Sequence, residues 1–406
     1  MLLRKFSITA AAFLLLMPLI GQNAQAANFS TQEVNEIHQF QKKYANLSHK
    51  RYTEANIYAK KPHLKKKFKA GVLKPAYIRT QVDYINYYRS LFGLTSVNTT
   101  KTSNVNAQKT AAVMAAINAN PFVNQHGLPN EVKPSFISKS TWKLAKYTTE
   151  TSNLNFNVSH QSAGDVITDL VTDHYNLTGS DTGHRAWLLS SRLSTTGIGA
   201  AYGKNGYRYS VQKVLNGNDM FRAASQPIVA YPSVRLFPEE LAKGKNVLWS
   251  LYLSDQSYNS IPVITIKDLD TGITTNGTRV KNYSSSGYGH FKTIITYSPG
   301  NTNIVAGHEY EINIKGVYKY RFKVFKQDGT TDTTQYIKPQ TNTNASMSSQ
   351  TAVQSPFVLQ NKLLQATIAS ETIIIPNETN DLLHTLTKKG WNQNYFHKTV
   401  RIKKKI

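Results

Sequence analysis

The chain has 406 residues, no cysteine, and 48 lysine and arginine residues against 23 aspartate and glutamate residues, a formal net charge of +25. The lack of cysteine excludes disulfide bonds, thiolate metal sites and a cysteine nucleophile. The basic excess is spread along the chain without a nucleic-acid-binding motif, so no specific nucleic-acid partner is expected. On an exported protein, diffuse positive charge favours anionic cell-wall polymers or membrane lipids as partners, and solubility alone is the competing explanation.

Residues 1–26 are predicted to be a secretory signal peptide. Arg4 and Lys5 precede a short apolar stretch, and Ala24-Gln25-Ala26 has the small-x-small pattern of a cleavage site. No segment reaches the roughly 18 apolar residues of a membrane span. The sequence therefore predicts an exported protein that is not transmembrane and whose mature chain begins at Ala27.

Residues 27–75 are predicted to form a basic, partly ordered helical lead-in. After Pro75, apolar residues recur at helical spacing, which predicts four helices. The first ends at Gly93, the second before Pro121, the third runs over about 163–176, and a short one starts near His184. The third helix would bury Val166, Ile167, Leu170, Val171 and His174.

The period then changes to two. Residues 198–202 and 207–211 alternate around a Gly-Lys-Asn-Gly turn, which predicts a β-hairpin. Helices followed by an antiparallel sheet predict a layered α+β domain over 76–222. Residues 223–340 contain short strand-like runs between turns, as in a β-sandwich. Residues 341–406 are predicted to be a linker and a basic tail, without the motif that covalent wall anchoring needs.

Two glycine-flanked histidines, His126 and His184, are the candidate site residues. Two imidazoles with carboxylates nearby can hold a metal ion or perform acid–base chemistry. Between them, Asp165, Asp169 and Asp173 recur every four residues and would form one ridge of a helix, for which a solvated face is the simplest expectation. A structural role is the simplest explanation of either histidine alone.

The order of these motifs resembles the CAP superfamily of cysteine-rich secretory, venom-antigen and plant pathogenesis-related proteins. The resemblance rests on Tyr84-Ile85-Asn86-Tyr87-Tyr88-Arg89, His126-Gly127-Leu128, Ser152-Asn153-Leu154, Gly183-His184-Arg185-Ala186-Trp187 and Thr196-Gly197-Ile198-Gly199. The resemblance covers about residues 57–340. Over this range the chain is similar to surface-exclusion-like exported bacterial proteins, in which an Ig-like β-sandwich follows the CAP domain. The resemblance implies an α-β-α sandwich with a central antiparallel sheet.

The resemblance also implies a cleft with two histidines and two acidic residues. His126 and His184 match the histidines, and Asp173 matches the acidic residue of the intervening helix. Ser152 stands where the family's glutamate is expected, and Glu150, two residues upstream, would point differently. With one carboxylate fewer, a divalent metal such as zinc would be held more weakly.

Three functions follow as hypotheses. The leading one is a secreted, non-enzymatic protein that binds a cell-wall polymer, a lipid or another cell's surface, without covalent attachment. The alternative is a metal-dependent hydrolase using His126, His184 and Asp173, or a Ser152 nucleophile, although Ser152 lacks the glycine-flanked elbow of serine hydrolases. The third is a structural or exclusion role between cells in which the cleft has no ligand.

Overall fold

The computed structural model describes residues 27–158, 160–176 and 179–336. The predictions of a signal peptide over 1–26 and of a linker and tail over 341–406 lie outside the described residues. No helix in the described part is long and apolar enough to cross a membrane.

The first part of the described chain mixes helices with short strands. Its elements are α1 (Thr31–Ala45), β1 (Tyr58–Lys60), β2 (Val72–Leu73), α2 (Pro75–Leu91), β3 (Asn98–Thr99), α3 (Lys101–Ile117), α4 (Lys139–Glu150), β4 (Ser152–Asn157), α5 (Ala163–Thr172), α6 (Gly183–Leu188), β5 (Thr195–Tyr202) and β6 (Arg208–Lys213). The predicted helices ending at Gly93 and before Pro121 are α2 and α3, and the short helix at His184 is α6.

A four-stranded sheet in the order β3-β5-β6-β4 separates two helical layers. Residues of α2, α5 and α6 pack on one face with Ile198 and Ala200 of β5, and residues of α3 and α4 pack on the other with Ala201. Helix α3 lies so close to β5 that a Cβ on Gly199 would come within 2.2 Å of the Ala107 backbone. This arrangement confirms the expected α-β-α sandwich.

The second part of the described chain is almost entirely strand. Its elements are β7 (Ile228–Tyr231), β8 (Arg235–Pro238), α7 (Glu239–Ala242), β9 (Trp249–Leu253), β10 (Ile264–Asp268), β11 (Thr274–Asn276), β12 (Thr278–Asn282), β13 (Thr293–Ser298), β14 (Glu309–Ile314) and β15 (Tyr318–Phe325).

These strands form a five-stranded sheet, β11-β10-β14-β15-β8, and a four-stranded sheet, β12-β13-β9-β7. Trp249 is fully buried between them, with its ring centroid 5.6 Å from that of Phe322 and 6.1 Å from that of Tyr297. Its indole N–H donates to the Ala242 carbonyl at 2.8 Å, so the aromatic core leaves no buried donor there. The fold agrees with the expected β-sandwich.

Residues 27–75 were expected to be a partly ordered helical lead-in, and this expectation is wrong about their secondary structure, which includes a hairpin as well as a helix. Only α1 is a helix, and a Ser30–Glu33 capping box fixes its start. It packs against the β-sandwich, where Phe40 stacks on Phe325 and Gln41 donates to the Lys326 carbonyl. The remainder has the β1–β2 hairpin as its regular structure. Sequence periodicity could not reveal a contact made with residues nearly 300 positions away.

Helix α5 is also shorter than predicted, because Asp173 adopts a left-handed conformation, φ 56°, directly after Thr172. The aspartate ridge is a solvated face only in part, because Asp165 is exposed, Asp169 is half-buried and Asp173 is buried. Asp165 accepts from the backbone N–H of Ser162, Asp169 accepts from Gln161, and Asp173 turns inward to His184. His174 lies beyond the helix and is only half-buried.

Candidate functional site

The strongest pair in the cleft is His184 and Asp173. Nδ1 of His184 lies 2.7 Å from Oδ1 of Asp173, whose side chain is 1% exposed, and the His184 side chain is 22% exposed. The left-handed turn at Asp173 ends α5 and directs the carboxylate toward α6, a conformation that aspartate tolerates better than most residues. The structure thus joins two of the predicted site residues.

The charge of this pair sets the protonation of His184. Burial by itself lowers the pKa of His184, but the negative charge of Asp173, its hydrogen bond and the charge of Asp181 outweigh burial. The net result is a raised pKa for His184. The buried carboxylate therefore stabilises the imidazolium form and fixes the orientation of the ring.

His126 lies on the loop after α3 and is held by the end of α4. Its Nδ1 donates to the Thr149 carbonyl at 2.6 Å, and the next N–H, of Gly127, donates to the Thr149 hydroxyl at 3.0 Å. Partial desolvation by the surrounding protein lowers the pKa of His126, and so does the charge of His184. The positive charge of His184 thus acts on His126 across the cleft.

Glu150 lies next to the loop that carries His126. Its carboxylate packs on Gly127, where a Cβ would come within 2.6 Å of Oε1 and where φ is +79°. Only glycine suits this backbone. Burial raises the pKa of Glu150. The sequence predicted only that Glu150 would point differently from the family's glutamate, and it did not predict α4, which ends at Glu150.

Ser152 has different surroundings from the two histidines. It is 3% exposed at the start of β4, and its buried hydroxyl oxygen makes no hydrogen bond within the described residues. Its neighbour Asn153 donates to the His184 carbonyl at 2.9 Å and ties the edge strand to α6. The geometry therefore supplies Ser152 with neither solvent access nor a base.

Comparison with known proteins bears on this arrangement. Residues 82–214 match the model of the cysteine-rich secretory protein family, CAP. This segment is a CAP domain. The match runs from within α2 to the residue after β6, includes the two histidines and Asp173, and confirms the CAP resemblance over this segment. No curated protein matches the chain. The family is described as one of cysteine-rich secretory proteins, whereas the matched segment carries no cysteine.

The CAP cleft also contains two residues that the sequence did not indicate. Asp181 is almost fully buried, accepts from the Gly183 N–H at 3.1 Å, and acts electrostatically on both histidines. Tyr288 comes from the β-sandwich, and burial followed by the charge of Asp181 raises its pKa. Proximity of Asp181 to His184 in the sequence was a usable signal, but no local pattern could identify Tyr288.

The donor set of the CAP cleft fits a metal poorly. His184 has the carboxylate partner on Nδ1 that metal-ligating histidines commonly have. A catalytic zinc takes three protein ligands, however. In the described ranges, the cleft brings no three imidazole and carboxylate ligand atoms within 4.8 Å of one another. A metal held by His126 and His184 alone would be weakly bound.

One such group lies instead in the β-sandwich. It comprises Asp268, Asp270 and His308, among the residues that the structure describes. The three residues are already joined by hydrogen bonds. His308 Nδ1 lies 3.0 Å from Asp268 Oδ2, and the second Asp268 oxygen accepts the Asp270 N–H. The group is explained by its role in the turn after β10.

Proposed function

We propose that the protein is a secreted, non-enzymatic CAP-domain protein that binds anionic polymers of a bacterial cell surface through an ordered basic hairpin. The hairpin consists of residues 58–73, including β1 and β2. This hairpin is the observation that carries the proposal. The sequence has its basic residues spread along the whole chain, whereas the hairpin places several exposed lysines on one short ordered segment.

The basic hairpin presents lysines that have no acidic counterpart. No aspartate or glutamate occurs between Glu54 and Asp83. In the described part of the chain, none of the exposed hairpin lysines forms an ion pair. These exposed residues are Lys60, Lys61, Lys65, Lys66, Lys67 and Lys69.

The lysines are held in place by the fold. His63 and Lys69 exchange backbone hydrogen bonds of 2.8 and 2.9 Å, and Lys67 turns the chain with φ 65°. Leu64 and Phe68 pack inward on the α3–α4 core, and Gln108 donates to the Ala70 carbonyl at 2.9 Å. Binding would therefore cost little backbone ordering, which favours a pre-organised polyanion site.

The same packing favours a polymer over a bilayer. Peripheral membrane binding is strengthened when apolar side chains enter the interface beside the lysines. Here the apolar residues Leu64 and Phe68 face the core, so the hairpin exposes a single large apolar side chain, Val72, beside its lysines and lacks the apolar face that bilayer insertion needs. A chain of repeated phosphate or carboxylate groups suits this surface, and the surface of another cell could present the same groups.

The proposal is tested by titrating the mature protein with linear polyphosphate at several salt concentrations. The variant Lys65→Gln/Lys66→Gln/Lys67→Gln should bind less tightly, and the slope of log K against log salt should become shallower by about 2, as expected for three lost ionic contacts. The matched control is Lys204→Gln/Lys292→Gln/Lys315→Gln, which removes three exposed, unpaired lysines elsewhere in the described chain. Equal losses in both variants would reduce the effect to net charge and overturn the hairpin site. Tighter binding to phosphatidylglycerol vesicles than to polyphosphate would indicate a lipid partner.

The alternative is a metal-dependent hydrolase at the CAP cleft. The His184–Asp173 pair is the observation that favours it. We expect metal-stripped protein to bind zinc no better than the His126→Ala/His184→Ala variant in isothermal titration, because a third protein ligand is missing. Saturable binding that the variant loses, together with zinc-dependent ester or peptide hydrolysis, would replace our proposal with the hydrolase.

A further inference from the structure

A groove outside the CAP cleft lies where α5 meets the β-sandwich. It has a volume of about 390 Å³, at the small end of the range for ligand pockets. One wall is the carboxyl end of α5 with the following residues His174 and Tyr175. The other is α7 and the loop that leads into β9.

The α5 wall carries an aromatic surface. Tyr175 is 72% exposed, and its ring centroid lies 3.7 Å from that of His174. Nδ1 of His174 is 2.7 Å from the Thr172 hydroxyl, which fixes the imidazole beneath the tyrosine. An exposed aromatic face attracts the weakly positive C–H groups of a sugar ring.

The opposite wall carries charged groups. Lys243 is ion-paired to Glu239 at 2.7 Å, whereas Lys245 is exposed and forms no ion pair within the described residues. Glu240 also lines the groove, and one of its oxygens accepts the Gln327 N–H at 2.9 Å. Lys245 can bind an anionic group, and the remaining capacity of Glu240 suits hydroxyl donors.

The two walls are held together by Arg185. Its fully buried guanidinium donates to the carbonyls of Val171 and Thr172 at the end of α5 and to the carbonyl of Leu248 directly before β9, at 2.5–2.7 Å. The aromatic and cationic walls therefore keep a fixed spacing. A rigid groove with an aromatic wall, a free cation and a hydroxyl acceptor has the features of a sugar-binding site.

We propose that this groove binds a carboxylated pyranose, such as one hexuronic acid unit of an acidic polysaccharide. The ring would lie against Tyr175, the carboxylate would face Lys245, and ring hydroxyls would donate to Glu240. A simple phosphate would use Lys245 alone and leave the aromatic wall uncovered, so an acidic sugar fits the groove better. The proposal is independent of the basic hairpin, which packs on the α3–α4 core.

The test is NMR titration of the isotope-labelled mature protein with D-glucuronic acid and with D-glucose, which differ only in the carboxylate at C6. Glucuronic acid should shift the Tyr175 and Lys245 resonances saturably. Glucose should bind about two- to fivefold more weakly, as expected for loss of one exposed ionic contact. Equal binding of the two sugars, or no shift of groove residues with glucuronic acid, would overturn the proposal.

Two variants separate the contributions of the walls. Tyr175→Ala should abolish the shifts with both sugars, while Lys245→Gln should remove the preference for glucuronic acid but leave weak binding. Tyr147→Ala and Lys204→Gln are matched controls at exposed positions away from the groove and should bind as the native protein does. Unchanged binding in Tyr175→Ala would exclude the aromatic wall and with it the proposed site.

Discussion

On one face of the central sheet, α2, α5 and α6 share a single hydrophobic core with both sheets of the β-sandwich. On the other face, α3 and α4 enclose a smaller core, on which Leu64 and Phe68 of the basic hairpin pack, while Tyr58 and Leu73 of the same hairpin belong to the larger core. The cleft face is thus braced by the β-sandwich, whereas the α3–α4 face has a separate core and the basic hairpin contacts both cores. This difference teaches that the CAP cleft is built partly by the β-sandwich, and that the exposed hairpin lysines, which lie outside both cores, can be replaced without disturbing the cleft.

The largest effect is expected from replacing two fully buried arginines. Arg185 joins α5 to the β-sandwich and lies 3.7 Å over the Tyr231 ring. Arg89 donates to the carbonyls of Thr95, Leu188 and Ser190, all within the CAP domain, and burial lowers the pKa of Arg89 to about 9. Each arginine satisfies several buried carbonyls, so replacing either leaves acceptors unpaired.

We expect Arg185→Met and Arg89→Met each to lower the free energy of unfolding by roughly 3–5 kcal/mol, measured by urea denaturation. Only Arg185→Met should separate the unfolding of the CAP domain from that of the β-sandwich when hydrogen exchange is followed residue by residue. If both variants unfold in one coincident transition, Arg185 does not serve as the connection between the two parts.

The second prediction concerns acid. His290 packs edge-on against Trp187 of α6 at 5.2 Å, and its buried Nε2 makes no hydrogen bond within the described residues. Burial, with a smaller contribution from Arg192, lowers the pKa of His290 to about 4 despite the opposing charge of Asp219. Because the unfolded chain binds this proton first, the free energy of unfolding should fall as pH falls from about 6.5 to about 4.

The loss attributable to His290 should be on the order of 2–3 kcal/mol. His290→Phe removes the titrating group while keeping an aromatic ring beside Trp187. The difference in urea midpoint between variant and native protein should therefore move in favour of the variant as pH falls from 6.5 to 4. A difference that is constant over this range would contradict the assignment.

The third prediction concerns the His184–Asp173 pair. The folded pKa of His184 is raised, so its contribution to stability is fully present below the unfolded pKa of about 6.5 and is lost as pH rises through the folded value. Asp173→Asn should lower the pKa of His184 and cost about 1–2 kcal/mol at pH 6.

NMR titration of the imidazole Hε1 signals measures this directly, with His126 as the internal reference because its pKa is shifted the other way. In the native protein His184 should titrate above His126, and Asp173→Asn should bring the two closer together. If His184 titrates below His126 in the native protein, the carboxylate does not control the site.

The smallest effect is expected on the hairpin face. The Lys65→Gln/Lys66→Gln/Lys67→Gln variant removes exposed charges that form no ion pairs in the described chain, so its free energy of unfolding should stay within about 0.5 kcal/mol of the native value. Thermal denaturation provides the check. A loss well beyond this would mean that the lysines stabilise the hairpin and that the binding test needs a gentler substitution.

Local patterns predicted much of this fold from the sequence. The apolar spacing of α2 and α3 and the alternation of β5 and β6 were sufficient to place these elements, although β5 and β6 are buried on both faces of the sheet. Helix α4 was missed, since its buried residues include Thr148 and Thr149 rather than a run of large apolar side chains. The docking of α1 on the β-sandwich was missed because it depends on distant partners.

For the candidate site, too, the sequence predicted the residues of local motifs but not the contacts between distant parts of the chain. Motif order identified His126, His184 and Asp173, and the last two are in contact. The end of α5 was predicted too far along the chain. The left-handed turn at Asp173, which brings its carboxylate to His184, ends the helix at Thr172. Tyr288 and the groove beside Tyr175 depend on how the β-sandwich meets the CAP domain, which no local pattern specifies.

The most direct test of the central claim is elution of the protein from isolated bacterial cell walls by a salt gradient. The account predicts that the native protein is retained at low salt and is fully released before about 1 M, where screening shortens the Debye length to about 3 Å. The Lys65→Gln/Lys66→Gln/Lys67→Gln variant should elute at lower salt than the Lys204→Gln/Lys292→Gln/Lys315→Gln control. Retention of the native protein in high salt, or identical elution of the two variants, would contradict attachment through the basic hairpin.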